Sequence, residues 1–82
     1  MKIEVTQQDI SEGTPGVCME CPIALAVQRA TGDKDASVTP QIVWVGGTFY
    51  VLPVTAREFI RKFDGRKDVA PFEFEMEPEP GQ

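Results

Sequence analysis

Two cysteines, Cys18 and Cys21, stand at C-x-x-C spacing in the run Cys18-Met19-Glu20-Cys21-Pro22. Two thiols so placed suit three roles. A redox pair of the thioredoxin type follows a strand in a βαβ unit, whereas here a Thr14-Pro15-Gly16 loop precedes and Pro22 comes after the second cysteine. A structural zinc site wants four ligands, so two thiolates suffice only if a two-fold dimer brings two pairs together or Glu20 adds an oxygen. The third role leads: thiols partly buried at a helix start, acting as small apolar groups. No metal ligand is therefore assigned, with Cys18 and Cys21 as outside candidates.

Anion chemistry has a better-stocked segment. Residues 55 to 67 hold Arg57, Arg61, Lys62, Arg66 and Lys67, five of the eight cations, against only Glu58 and Asp64. Arg57 and Arg61 are i, i+4 neighbours on a helix face, and guanidinium forks match phosphate or carboxylate bidentately. Lys62 adds a third contact, and Trp44 or Tyr50, if exposed, would stack on a ring. The simpler alternative is a solvated face on which Glu58 pairs with Arg61 or Lys62. A helix opening at Pro22 would also offer N–H groups to an anion, with the loop from Gly13 to Gly16 closing over it, as any helix start does.

Catalysis has little to work with. There is no histidine, hence no Ser-His or Cys-His nucleophile. No catalytic residue is assigned, no cofactor is expected, and the protein is read as not an enzyme. The 82 residues carry a net charge of −5, 41% hydrophobic residues and 26% charged ones. An ordinary globular composition with excess acid argues against general binding to nucleic acid or anionic membranes. No run approaches the roughly 18 apolar residues of a membrane span, and the segment from Met1 to Val5 lacks a signal peptide's apolar core, which points to a soluble protein inside the cell.

These groups must be held by one small domain. Lys2 to Thr6 alternates as a half-buried strand. Thr6 and Asp9 have capping-box spacing for a short helical turn that Gly13 stops. Pro22 at a first helical position makes Cys21 the N-cap of the next helix, with Ile23, Ala26, Val27 and Ala30 as its apolar stripe, widened by Ala24 and Leu25, and Gly32 as its end. Ala36 to Thr39 reads as a short strand stopped by Pro40. Ile42–Val45, Gly46-Gly47 and Thr48–Leu52 form a tight hairpin pairing Trp44 with Phe49 and Ile42 with Val51. Its other face carries Val43, Val45 and Tyr50. Both faces are apolar, so one is free for contact. Thr55 and Glu58 read as a capping box opening a helix with Ala56, Phe59, Ile60 and Phe63 buried and Asp64-Gly65 closing it. Phe72, Phe74 and Met76 alternate with Glu73, Glu75 and Glu77, an acidic row continuing to Glu79 that protects an edge or attracts a basic partner.

The expected fold is α+β: a small, mainly antiparallel sheet in the approximate order β-α-β-β-β-α-β, with two helices on one face. Residues 1–77 form the domain and 78–82 a flexible tail. The nearly all-round apolar helix and two-sided hairpin suggest a homo-oligomer, with Ile23, Leu25, Val43 and Val45 as its interface.

The segments Ile3-Glu4-Val5-Thr6 with Asp9-Ile10 and Gly13, Cys21-Pro22-Ile23-Ala24-Leu25-Ala26, Phe59-Ile60 with Phe63-Asp64-Gly65, and Pro71-Phe72-Glu73-Phe74 resemble a family of small uncharacterised proteins of bacteriophages and actinobacterial or related genomes. The Cys-Pro-Ile-Ala-Leu-Ala run is the distinctive part, and the hairpin at 36–53 has no matching motif. The resemblance implies no catalytic activity. It implies a phage-type accessory protein in the cytoplasm of the bacterial host cell, of the counter-defence kind. The expected function is to sequester a small anionic, nucleotide-like ligand as an oligomer. The alternatives are an inhibitor that binds a host protein, through the hairpin face or the acidic edge, and a zinc-bridged dimer through Cys18 and Cys21.

Overall fold

The computed structural model describes residues 1–17 and 19–78. Chain order is β1 (Lys2–Val5), α1 (Gln7–Glu12), α2 (Pro22–Thr31), β2 (Ser37–Val38), β3 (Ile42–Val45), β4 (Thr48–Val51), α3 (Val54–Asp64), β5 (Phe72–Glu75) and β6 (Glu77–Pro78). The fold is α+β, as expected. Of the predicted tail, Pro78 lies in β6, and residues 79–82 are outside the described residues. No described helix is long and apolar enough to cross a membrane.

The single expected sheet is two antiparallel sheets, one of β1 and β5, the other ordered β2-β3-β4-β6. The alternating run from Phe72 onward changes partner at Met76. This residue is fully buried and its N–H donates to the carbonyl of Met1 at 2.7 Å. Before it, Phe72–Glu75 pairs with β1; after it, Glu77 and Pro78 pair with Val51 and Tyr50. Among the described residues there are three helices, and α2 packs against α1, against β1 of one sheet and against β2 of the other.

Local chemistry sets most boundaries. The Thr6 hydroxyl accepts from Asp9 N–H at 3.2 Å while an Asp9 carboxylate oxygen accepts from Thr6 N–H at 2.9 Å, so the capping box closes with Asp in place of Glu. Gly13 then lies so close to α2 that a Cβ there would sit 2.6 Å from Pro22 Cδ. Cys21 caps α2 through its sulfur, which accepts from Ala24 N–H at 3.3 Å. Ile23, Ala24, Ala26 and Val27 are buried; Ala30, expected in the same stripe, is exposed, because the stripe widens at Ala24 and ends at Val27.

The hairpin has the predicted register, Ile42 opposite Val51 and Trp44 opposite Phe49. Gly46 and Gly47 both take positive φ, 54° and 86°, which a tight turn of this hand requires. The expected capping box of α3 does not form. The helix starts earlier, at Pro53, with no side-chain cap. Proline presets an extended entry there, and its carbonyl accepts from the N–H groups of Ala56 and Arg57, both at 3.1 Å. Thr55 is thereby already inside the first turn. Ala56, Phe59 and Ile60 are buried and Phe63 half-buried. Stacked rings run from Phe63 through Phe59 and Phe72 to Phe74, with centroids 6.2, 4.8 and 5.6 Å apart, and tie α3 to β5.

Candidate functional site

Arg57 and Arg61, one helical turn apart on α3, line a groove of about 400 Å³ with Pro40, Gln41, Ile60 and Asp64. Buried Ile60 is an apolar wall. Pro40 and Gln41, from the approach to β3, face the helix across it. No described carboxylate lies within ion-pairing distance of Arg57, Arg61 or Lys62. The expected pairing of Glu58 with Arg61 or Lys62 does not occur, so both guanidinium groups keep their hydrogen-bonding capacity. Asp64 is the opposing charge, and its Oδ1 accepts from Gly16 N–H at 3.1 Å.

That hydrogen bond draws the 13–17 loop to the C-terminal end of α3. Within the loop, Thr14 N–H donates to the Glu20 carbonyl at 2.7 Å. A smaller hollow of about 110 Å³ shares Pro40, Ile60 and Asp64 with the arginine groove and reaches Gly16, Val17 and Cys21, the cap of α2. The positive end of the α2 dipole therefore borders the hollow next to the arginine groove. Three separate segments line the two adjacent hollows: Gly16, Val17 and Cys21 ahead of α2, the approach to β3, and α3.

The other expected ligand contacts lie elsewhere. Lys62 faces a different depression, of about 350 Å³, beside Glu58 and Asp68. Trp44 and Tyr50 point to opposite faces of their sheet, since Trp44 pairs with Phe49 and Tyr50 with Val43. Tyr50 packs against the core, and Trp44 is 39% exposed with its ring 4.3 Å from that of Phe49. Neither aromatic lines the arginine groove.

The expected interface residues are also redistributed. Ile23 and Val43 are completely buried in the chain's own core, so they cannot meet a partner. Val45 packs against that core and Leu25 is half-buried. The hairpin face carrying Val43, Val45 and Tyr50 is the inner one, because it closes over the core; the outer face carries Ile42, Trp44, Phe49 and Val51. Cys21 is buried, 6% exposed. Cys18 and Glu79 lie outside the described residues, so the paired-thiol readings and the end of the acidic row do too. Among the described residues no three His, Cys, Asp or Glu side chains cluster as a metal site would need.

Sequence reasoning misses the strongest polar contact. Asp9, 4% exposed, receives Arg29 Nη1 at 2.6 Å and Nη2 at 2.9 Å, and Nη2 also donates to the Glu4 carbonyl at 3.0 Å. Burial opposes ionisation of Asp9, but hydrogen bonds from Arg29 and from Thr6 N–H, together with the guanidinium charge, outweigh it and hold its pKa below the ordinary carboxylate value. The same hydrogen bond from Arg29 to Asp9 raises the guanidinium's pKa. The pair ties β1, α1 and α2 together, which is an architectural task. On the outer face of the β1–β5 ribbon, Glu73 pairs with Lys2 at 3.2 Å and Glu75 with the amino group of Met1 at 3.4 Å, so part of the acidic row is neutralised within the chain.

No known protein family, curated protein or solved structure matches the chain.

Proposed function

We propose that the protein is a non-catalytic binding protein for a small anion of the phosphate class, held in the groove between α3 and the approach to β3. The observation that carries this reading is that Arg57 and Arg61 line one concavity with no carboxylate among the described residues paired to either. Two guanidinium forks one turn apart suit adjacent oxygens of a diphosphate or of two carboxylates, and a helix N-terminus on the neighbouring wall adds positive potential. The groove has no aromatic ring, so phosphate rather than a stacked base supplies the affinity. The counter-defence setting in a bacterial host rests on the resemblance of the Cys21–Ala26 run.

Calorimetric titration with inorganic pyrophosphate, and with a nucleoside diphosphate, tests the reading. Both ligands should bind the parent protein with similar affinity. Replacing Arg57 and Arg61 together by Glu should abolish both, with the circular dichroism spectrum unchanged because both side chains are exposed. Undiminished binding in the double variant, or none in the parent, would refute it.

A further inference from the structure

Arg57, Ile60, Arg61 and Asp64 recur at i, i+3, i+4 and i+7 along α3, so one face of the helix presents two cations, an apolar side chain between them and then an anion. All four line the groove of about 400 Å³. The anion is the odd member. Asp64 is the last residue of α3, where the negative end of the helix dipole disfavours a carboxylate. No described cation lies within ion-pairing distance of it, and Arg66 and Lys67, which follow the helix, do not line the groove. Its Oδ1 accepts from Gly16 N–H at 3.1 Å, across 48 residues of chain. That bond fixes where the carboxylate stands and engages one of its two oxygens.

We infer that Asp64 selects, among phosphate compounds, those that carry a cationic amine. The ligand class is an aminoalkyl phosphate, its phosphate on Arg57 and Arg61 and its ammonium on the Asp64 carboxylate. The inference rests on the reading of the groove as a phosphate site and adds which phosphates it prefers. At 1.5 Å of rise per residue, Asp64 lies roughly 4.5 Å beyond Arg61 along the helix axis, which a propyl spacer covers. Pro40 and Ile60, common to the groove and to the hollow beside it, give that spacer an apolar surface. Charge fixes the orientation. An ammonium at the C-terminal end of α3 meets both the carboxylate and the negative end of the dipole, whereas a further anionic group there is repelled by both. The reverse placement sets the ammonium against two guanidinium groups.

Calorimetric titration of the parent and of Asp64→Asn with propyl phosphate, aminopropyl phosphate and inorganic pyrophosphate at neutral pH, where the amine is protonated, tests it. The parent should bind the amino ester about fivefold tighter than the plain one, the upper range for a solvent-exposed ion pair. Asparagine keeps an oxygen to accept from Gly16 N–H, so Asp64→Asn should leave the circular dichroism spectrum unchanged. It should reverse the order of the two esters, because the ammonium then meets only the guanidinium charges, and it should tighten pyrophosphate. Asp64→Ser should behave likewise. Equal binding of the two esters by the parent overturns the inference. So does a preference for the amine that survives in both variants, which would reflect the net charge of −5 rather than Asp64. A parent that binds pyrophosphate and neither ester overturns it too; in all three cases the phosphate reading stands. A parent that binds none of the three compounds overturns both.

Discussion

Arg29 holds both carboxylate oxygens of Asp9, at 2.6 and 2.9 Å, across twenty residues of chain. The two ends of this contact differ in solvation: the Arg29 side chain is half exposed, while that of Asp9 is almost fully covered. Water can therefore replace the carboxylate for Arg29 far better than it can replace the guanidinium for Asp9.

Removing the guanidinium should cost more than removing the carboxylate's charge. Arg29→Ala strands a buried anion whose remaining donor is the Thr6 N–H, and a loss of about 2 kcal/mol is expected after allowance for water reaching the exposed side. Asp9→Asn keeps shape and part of the hydrogen bonding, so about 1 kcal/mol is expected. Urea unfolding midpoints measured on the two variants at neutral pH give the ranking directly. Equal losses would mean that water serves Asp9 as well as Arg29 does.

The same pair sets a pH dependence. Asp9 titrates below its ordinary value of 3.8 in the folded chain. The stability this confers is thus fully present above that value and is lost as pH falls through it toward the folded pKa. The gap in unfolding free energy between the parent and Asp9→Asn should be constant from neutral pH to about pH 5 and narrow below about pH 4. A gap that persists unchanged into the acid range would show that the ionised carboxylate is not the stabilising form.

Two threonines with similar sequence signals should respond differently to substitution. Thr6 accepts a backbone N–H as a true cap, so Thr6→Ala should lose about 1 kcal/mol. Thr55 lies within α3 and forms no cap, so Thr55→Ala should change stability by less than about 0.5 kcal/mol. Thermal denaturation of the pair decides whether Pro53 or Thr55 starts the helix in solution.

Part of this organisation is legible in the residues themselves. The hairpin is, because two positive-φ residues between β-branched runs admit few other arrangements. The first capping box is too, because its partners are three residues apart. The start of α3 is easily misread because two signals compete there: proline's fixed dihedral lies ahead of the threonine box and the chain follows the proline. The division into two sheets leaves no mark, since the alternation of Phe72, Glu73, Phe74, Glu75 and Met76 is the same whichever strand lies alongside. Helical spacing is enough to find Arg57 and Arg61. It does not find their groove, because the far wall, Pro40 and Gln41, and the tether from Asp64 to Gly16 depend on tertiary packing. The aromatic residues assigned to that ligand fail for a related reason. Period two tells which of them share a face, but not which face the core will claim.

The pairing of β1 with β5 bears on the order in which the molecule assembles. Lys2 lies opposite Glu75 and Val5 opposite Phe72, so the ribbon closes a loop of nearly the whole chain. Such a loop costs more entropy than the two-residue hairpin turn, which closes in microseconds. The hairpin belongs early and the ribbon late. Truncating Ile3 or Phe74 should then speed unfolding while leaving the folding rate almost untouched, whereas truncating Val43 should slow folding. Stopped-flow kinetics on these three variants would read that sequence of events, and a slowed folding limb for Ile3 or Phe74 would reverse it.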